Sequence, residues 1–248
     1  MGYDKVEGVR RIYPAERVEV DPATAYAYPD REWLRINMVA SLDGAAWSKG
    51  VSEGLSGSAD RRLFQVMRGL ADVILVGAAT VRTEGYGPVA PRDSWDALRA
   101  GRPPTPPIAV VTRKIDLDLG GTFFAAKGAE ARPIVITCAA APPDRREAAA
   151  AVADVIVAGD DRVEPDLALR ALRERGLNHV LCEGGPRLNG GLAAAGLIDE
   201  VCLTVSPLLI GGGAARVLNG PVGRTPLRIA QILEEDGFLF TRYVREKP

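Results

Sequence analysis

The sequence has one histidine, His179, and three cysteines, Cys138, Cys182 and Cys202. With so few of these residues, no histidine-cysteine zinc signature can be assembled, and zinc-dependent deamination is excluded. No Ser-His-Asp or Cys-His arrangement is readable either. The cysteines are odd in number, widely spaced and each set in an apolar run, so they read as buried thiols of a reducing compartment rather than disulfides. The chain lacks charge of one sign as well. With 31 basic and 32 acidic residues, its net charge is −1, and no global field recruits nucleic acid or an anionic membrane surface. Long apolar runs are missing too, and the first eleven residues are charged with no apolar centre, unlike a signal peptide. The expectation is a soluble cytoplasmic protein.

What the sequence does contain is short, continuous apolar runs: Leu34–Ala40, Val73–Val76, Ile108–Thr112, Ile134–Thr137, Val155–Ala158 and His179–Cys182. Such runs suit strands buried on both faces of a parallel sheet. Helical segments fall between them, at Ala59–Gly69, Arg145–Ala153, Asp166–Arg175 and Arg187–Ala195. Pro165 and Gly176 bracket the third of these in the usual helix-end positions. The last third changes character. Glu200–Pro207, Leu227–Leu233 and Phe238–Val244 are strand-like with no long helix between them, and Glu235-Asp236-Gly237 supplies a turn. Residues 1–30 read as an extended lead-in to one domain over 31–248. The expected class is therefore α/β, a single mostly parallel central sheet flanked by helices, ending in an antiparallel hairpin.

Several stretches could carry chemistry. The strand ending at Gly77 opens Ala78-Ala79-Thr80, a glycine followed by a hydroxyl residue at a helix start. That arrangement can offer free N–H groups to a phosphate, although many α/β turns look the same without a ligand. Glu183-Gly184-Gly185-Pro186 is more unusual. A buried strand ends in a carboxylate, and paired glycines beside proline point to a backbone conformation closed to other residues, a cis peptide among the options. It is compatible with a pyrophosphate cradle and equally with a simple Gly-Gly turn. Thr112-Arg113-Lys114 ends a strand and could hold a phosphate or form an exposed polar loop. Glu84, four residues after Thr80, lies one helical turn along the same face, which would let hydroxyl and carboxylate converge on a small polar substrate. A solvated loop glutamate is the plainer alternative. Gly211-Gly212-Gly213 lacks the third glycine of a dinucleotide fingerprint and reads as a turn lining the site. His179 reads as a structural histidine.

Taken together, Ala40-Ser41-Leu42-Asp43-Gly44, Arg68, Ala71 to Gly77 with Thr80-Val81-Arg82, Glu183-Gly184-Gly185-Pro186, Ala195 to Glu200 and Pro207 to Gly212 resemble the reductase domain of bifunctional riboflavin biosynthesis proteins, in that family's order over roughly Trp33 to Tyr243. The resemblance implies a dihydrofolate reductase-like fold and NADPH as hydride donor. It puts Ala40 beside the nicotinamide, Gly77 and Thr80 by the ribose or phosphates, and Thr112 and Arg113 on the 2′-phosphate. Gly184, Gly185, Pro186, Leu188 and Gly191 would follow the pyrophosphate. Ser52, Arg68 and Glu183 fall on the substrate side. Glu84, at the family's usual aspartate position, borders the cofactor and is the candidate proton-handling group.

The implied reaction reduces a ribosylaminopyrimidine 5′-phosphate to its ribityl form, with no metal. Three departures stand out. Glu84-Gly85-Tyr86 replaces Asp-Asn-Pro, and Gly54 replaces a tryptophan; the phosphate-gripping arginine has only Arg92 as a misplaced counterpart. Alternatives are therefore a reductase with a changed substrate, such as dihydrofolate, or a non-catalytic NADPH-binding protein. Alternating Val201, Leu203 and Val205 suggest a homodimer through a C-terminal sheet edge.

Overall fold

The computed structural model describes residues 9–16, 19–127, 130–221 and 223–246; of the lead-in, residues 1–8, 17 and 18 lie outside the described residues. Ten strands form one sheet: β1 (Arg10–Tyr13), β2 (Trp33–Ser41), β3 (Val73–Gly77), β4 (Ile108–Val111), β5 (Ile134–Thr137), β6 (Asp154–Val157), β7 (His179–Cys182), β8 (Glu200–Ser206), β9 (Leu227–Glu235) and β10 (Phe238–Arg245). Their spatial order is β1-β9-β10-β8-β2-β7-β3-β4-β5-β6. From β8 to β6 every pairing is parallel, while β10 pairs antiparallel with both β8 and β9, and β1 pairs antiparallel with β9. This is the expected mostly parallel sheet with its terminal hairpin.

Six helices cover it: α1 (Pro22–Ala25), α2 (Ser58–Leu70), α3 (Ala78–Glu84), α4 (Pro143–Val152), α5 (Pro165–Arg173) and α6 (Pro186–Ala194). Parallel strands need helical crossovers, and successive strand residues point to opposite faces. So Leu34, Ile36, Val73, Leu75 and Val180 pack against Leu169, Leu172 and Leu192 of α5 and α6. On the other face, Ile74, Val76, Ile108 and Val110 meet Val81 of α3 and Ala149 of α4. Leu181, Cys202 and Phe240 meet Ala59, Leu63 and Met67 of α2. Pro at the first turn of α4, α5 and α6 uses a position whose N–H has no intrahelical partner.

One expectation is corrected. β8 is not a sheet edge, because β10 returns through the turn after Glu235 and pairs along it from Val205 to Glu200. The edges are β1 and β6. Val201, Leu203 and Val205 are instead half-buried residues of one sheet face.

A charged knot lies under the segment leading into β2. Glu200, fully buried, accepts from Arg35 Nε at 2.9 Å, Arg242 Nε at 2.7 Å and Trp33 Nε1 at 2.6 Å. Burial pushes its pKa up, but the two guanidinium groups outweigh burial and hold the carboxyl at about 2. His179 belongs to the same region. It stacks on Tyr28 with centroids 4.7 Å apart, with Nδ1 at 3.3 Å from Asp72 and Nε2 at 3.2 Å from the Pro29 carbonyl.

Candidate active site

Three parallel strands, β2, β7 and β3, end side by side, and a cavity of about 960 Å³ opens at their carboxyl ends. Open α/β sheets place ligands in this location because loops diverge there and helix N-termini point inward. The cavity has two chemically distinct walls.

The first wall is bare backbone. Gly77 caps α3 without a side-chain hydrogen bond, and Gly185 does the same for α6. The two turns are tied by Gly77 N–H donating to the Gly184 carbonyl at 2.7 Å. Gly184 has φ of +84°, open to glycine at little cost, and the Gly184–Gly185 peptide is cis. A Cβ on Gly185 would lie 2.6 Å from Thr80 Oγ1, and one on Gly77 would lie 3.5 Å from Gly185 N. Two helix starts therefore face one gap kept open by missing side chains, with the Thr80 hydroxyl between them. Such a gap fits a pyrophosphate. Leu188 and Arg187 of α6 line the same side.

The second wall is polar and aromatic. Arg68 of α2 donates to Glu183 through Nε and Nη2, each at 2.7 Å, a two-point fork. Tyr86 donates its hydroxyl to Glu183 Oε2 at 2.6 Å. The Arg68 guanidinium lies 4.3 Å from the Phe64 ring centroid and 5.5 Å from that of Tyr86. Burial alone would lower the Arg68 pKa, but the charge of Glu183 outweighs it and raises it. Burial, then the Glu183 charge, raises Tyr86 well above its ordinary value, so the phenol stays protonated. Phe64 and Arg68 are four residues apart on one helix face, a spacing visible in the sequence. Tyr86 was missed. It reaches Glu183 because Gly85, with φ of +67°, ends α3 in a left-handed turn that sends the chain back to the cavity.

Ser52 and Glu84 meet as well. Ser52 N–H donates to Glu84 Oε1 at 3.0 Å, and Ser52 Oγ donates to Oε2 at 3.1 Å. Both carboxylate oxygens thus hold the segment between β2 and α2 against the end of α3.

Gly77, Thr80, Gly185, Pro186, Leu188, Ser52, Arg68, Glu84 and Glu183 all line the cavity. Ala40, Gly184 and Gly191 are outside the lining. Thr112 and Arg113 are not brought into it. The Thr112 hydroxyl, buried, accepts from Ile115 N–H at 3.0 Å, and Arg113 Nε donates to the Asp161 carbonyl at 2.9 Å. Arg92 also stays outside, 5.8 Å from the Trp95 ring centroid. Gly54 is exposed and outside the lining, whereas Trp47 lines the cavity. The turn at Gly211 is anchored rather than free. Asp43 accepts from Ile210 N–H at 3.1 Å and Gly211 N–H at 2.6 Å. These bonds, after that from Ser41, hold the Asp43 carboxyl at about 2. Ala215 and Asn219, further along, are the residues of that loop that reach the cavity. Among the described residues, no group of three or more His, Cys, Asp or Glu side chains could hold a metal.

The chain is similar to known proteins of one family. The family model described as RibD C-terminal domain matches residues 32–235. The chain is 31% identical over 188 residues to the 2,5-diamino-6-ribosylamino-4(3H)-pyrimidinone 5′-phosphate reductase of Methanothermobacter thermautotrophicus, covering 76% of this chain and 83% of that protein. It is 30% identical over 213 residues to riboflavin biosynthesis protein RibD of Mycobacterium tuberculosis, covering 84% of this chain but 53% of that protein. Among solved structures, a pyrimidine reductase-like protein from Corynebacterium diphtheriae superposes with a TM-score of 0.83 at 27% identity, covering 92% of this chain and all of that one.

Proposed function

The chain belongs to the RibD C-terminal domain family, with its dihydrofolate reductase-like fold, and from that membership we propose an NADPH-dependent pyrimidine reductase of the riboflavin-biosynthesis type. It is an oxidoreductase of the same kind as its reductase relatives. The substrate is a ribosylaminopyrimidine 5′-phosphate, and the product carries a ribityl chain. The observation that carries this reading is the two-walled cavity, glycine-bare on one side and formed by Arg68, Glu183 and Tyr86 on the other.

The bare wall fits a dinucleotide, since a Cβ at Gly185 would fill the space beside Thr80. Gly77, Thr80, Gly185, Pro186, Arg187 and Leu188 would hold it. When bound, NADPH supplies a hydride. The substrate accepts that hydride at the ribose C1 of its open, imine form and takes a proton on the attached nitrogen, so a C=N bond becomes CH–NH. The remaining work belongs to the chain. Glu183, fixed by the fork from Arg68, is held rigidly at the cavity's buried end, and Phe64, Trp47 and Tyr86 exclude water around a flat ring. Arg61, exposed at the rim, is the cation available for a substrate phosphate in place of Arg92. Glu84 is a positioning residue that holds the Ser52 segment.

The displacement of Arg92 from the cavity favours one second reading, a substrate without a phosphate at that place. The test is anaerobic NADPH oxidation with the ribosylaminopyrimidine phosphate and, in parallel, dihydrofolate. Turnover of the former is expected. Turnover of dihydrofolate alone would replace the pathway assignment, and tight NADPH binding with no turnover of either would favour a binding protein.

A further inference from the structure

Three polar side chains on the cavity wall are buried: Asn37, Asp60 and Glu183. Two are fully engaged. Asp60 accepts from Ser56 Oγ at 2.5 Å and Thr204 Oγ1 at 2.7 Å, and Glu183 accepts from Arg68 and Tyr86. Asn37 differs. It is 8% exposed, lines the cavity, and its side-chain amide makes no hydrogen bond to any described residue. Its amide atoms reach the cavity surface rather than lying sealed in the interior, so they are open to a hydrogen-bonding group that enters. Its partner is then something that enters the cavity.

The position of Asn37 identifies that partner. On β2, Ile36 is in register with Cys182 of β7, so Asn37 stands level with Glu183 in the adjacent parallel strand. Asn37 is itself in register with Cys202 of β8, whose side chain packs toward α2. Asn37 therefore projects on the α2 side of the sheet, with Arg68, Phe64 and Glu183. On this wall a carboxylate only accepts and a guanidinium only donates. An asparagine amide does both, from adjacent atoms, and pairs with a planar C(=O)–N–H edge through two hydrogen bonds.

Resting on the pyrimidine-reductase reading above, we propose that Asn37 is a substrate-recognition residue that reads the adjacent carbonyl and N–H edge of the substrate's pyrimidinone ring. It orients the ring in its plane, while Phe64 and Tyr86 limit movement perpendicular to it. Asn37 takes no part in proton or hydride transfer.

The experiment compares the unsubstituted protein with Asn37→Leu, close in size and unable to hydrogen-bond, and Asn37→Ser, which leaves room for water. KM for the ribosylaminopyrimidine phosphate, kcat and the NADPH Kd are measured for each. The expected result is a KM raised roughly 10- to 100-fold in Asn37→Leu, in line with the loss of two hydrogen bonds, and a smaller rise in Asn37→Ser. The NADPH Kd stays within about twofold, because the bare wall is untouched. A KM unchanged in both variants overturns the assignment and leaves the reductase reading standing. An NADPH Kd that rises in parallel with KM also overturns it and moves Asn37 to the cofactor. No turnover by the unsubstituted protein overturns the reductase reading and this assignment with it.

Discussion

Glu84 illustrates how a side chain's partners define its role. Both of its oxygens accept from Ser52, one from the backbone and one from the hydroxyl. A glutamine at this position can still accept from the Ser52 N–H and donate to the Ser52 hydroxyl, so both contacts persist but without the charge that strengthens them. Glu84→Gln should raise the substrate KM several-fold and leave kcat within about threefold, as steady-state kinetics would record. A general acid or base contributes about 10²- to 10⁴-fold, so a kcat fall of that size in Glu84→Gln would return Glu84 to proton transfer. Arg68 and Glu183 are a different case. Glu183 is buried and Arg68 half-buried beside it, and removing either partner leaves an uncompensated charge, so truncations there mix misfolding with lost chemistry. That is why the informative substitutions are at Glu84 and Asn37.

At the scale of elements, the site depends on how closely two helix starts approach. The gap between α3 and α6 is set by Gly77, Gly185 and Thr80. Gly185→Ala puts a methyl group against Thr80 Oγ1, and Thr80 is a short, β-branched residue with little freedom to move aside. The NADPH Kd, followed by fluorescence titration, should rise roughly tenfold, a cost of the size expected for overpacking. Thr80→Ala in that background should recover part of the loss. An unchanged Kd in Gly185→Ala would mean that the cofactor does not lie against this peptide. These helix starts were legible in the sequence because the signals are local: an apolar strand and a glycine, with a proline at the first turn of α6. The buried strands were legible for the same reason, as Val73–Val76 and Ile134–Ile136 are apolar at every position. Tyr86 was not legible, since only the left-handed turn at Gly85 and the position of Glu183, 97 residues on, give it a role. β1 was not legible either. Arg10 and Arg11 stand on opposite faces of an edge strand whose sheet contact is made by backbone, and Ile12 and Tyr13 are exposed, which leaves no apolar alternation to read. Thr112 and Arg113 each bond to nearby backbone and stand outside the cavity lining.

For the whole molecule, α5 and α6 cover the parallel half of one sheet face, while Val201, Leu203 and Val205 continue that face with Leu239 and Tyr243 of β10 in register beside them. We propose that a second copy of the chain packs there, face to face rather than edge to edge. Sedimentation should give a mass of twice 26.4 kDa at micromolar concentration. Leu203→Arg should shift it to the single-chain mass, because a charge buried without a partner opposes association. A single-chain mass for the unsubstituted protein would sink the proposal. No helix among the described residues is long and apolar enough to cross a membrane.

The strand order also sets a timetable for synthesis. β3, β4, β5 and β6 are neighbours in both space and sequence, so that half of the sheet can close as soon as it leaves the ribosome. β2 cannot, because its two neighbours are β7 and β8, which are made far later. At about 5–20 residues per second, Leu34 to Ala40 wait roughly 10 to 30 seconds, an apolar strand with both edges unpaired. β1 waits longer still, since Arg10 meets Glu234 across 224 positions of sequence. Nascent chains stalled before Ser206 would thus expose an aggregation-prone strand that the finished protein hides at its centre, and they would depend on chaperones until synthesis resumes.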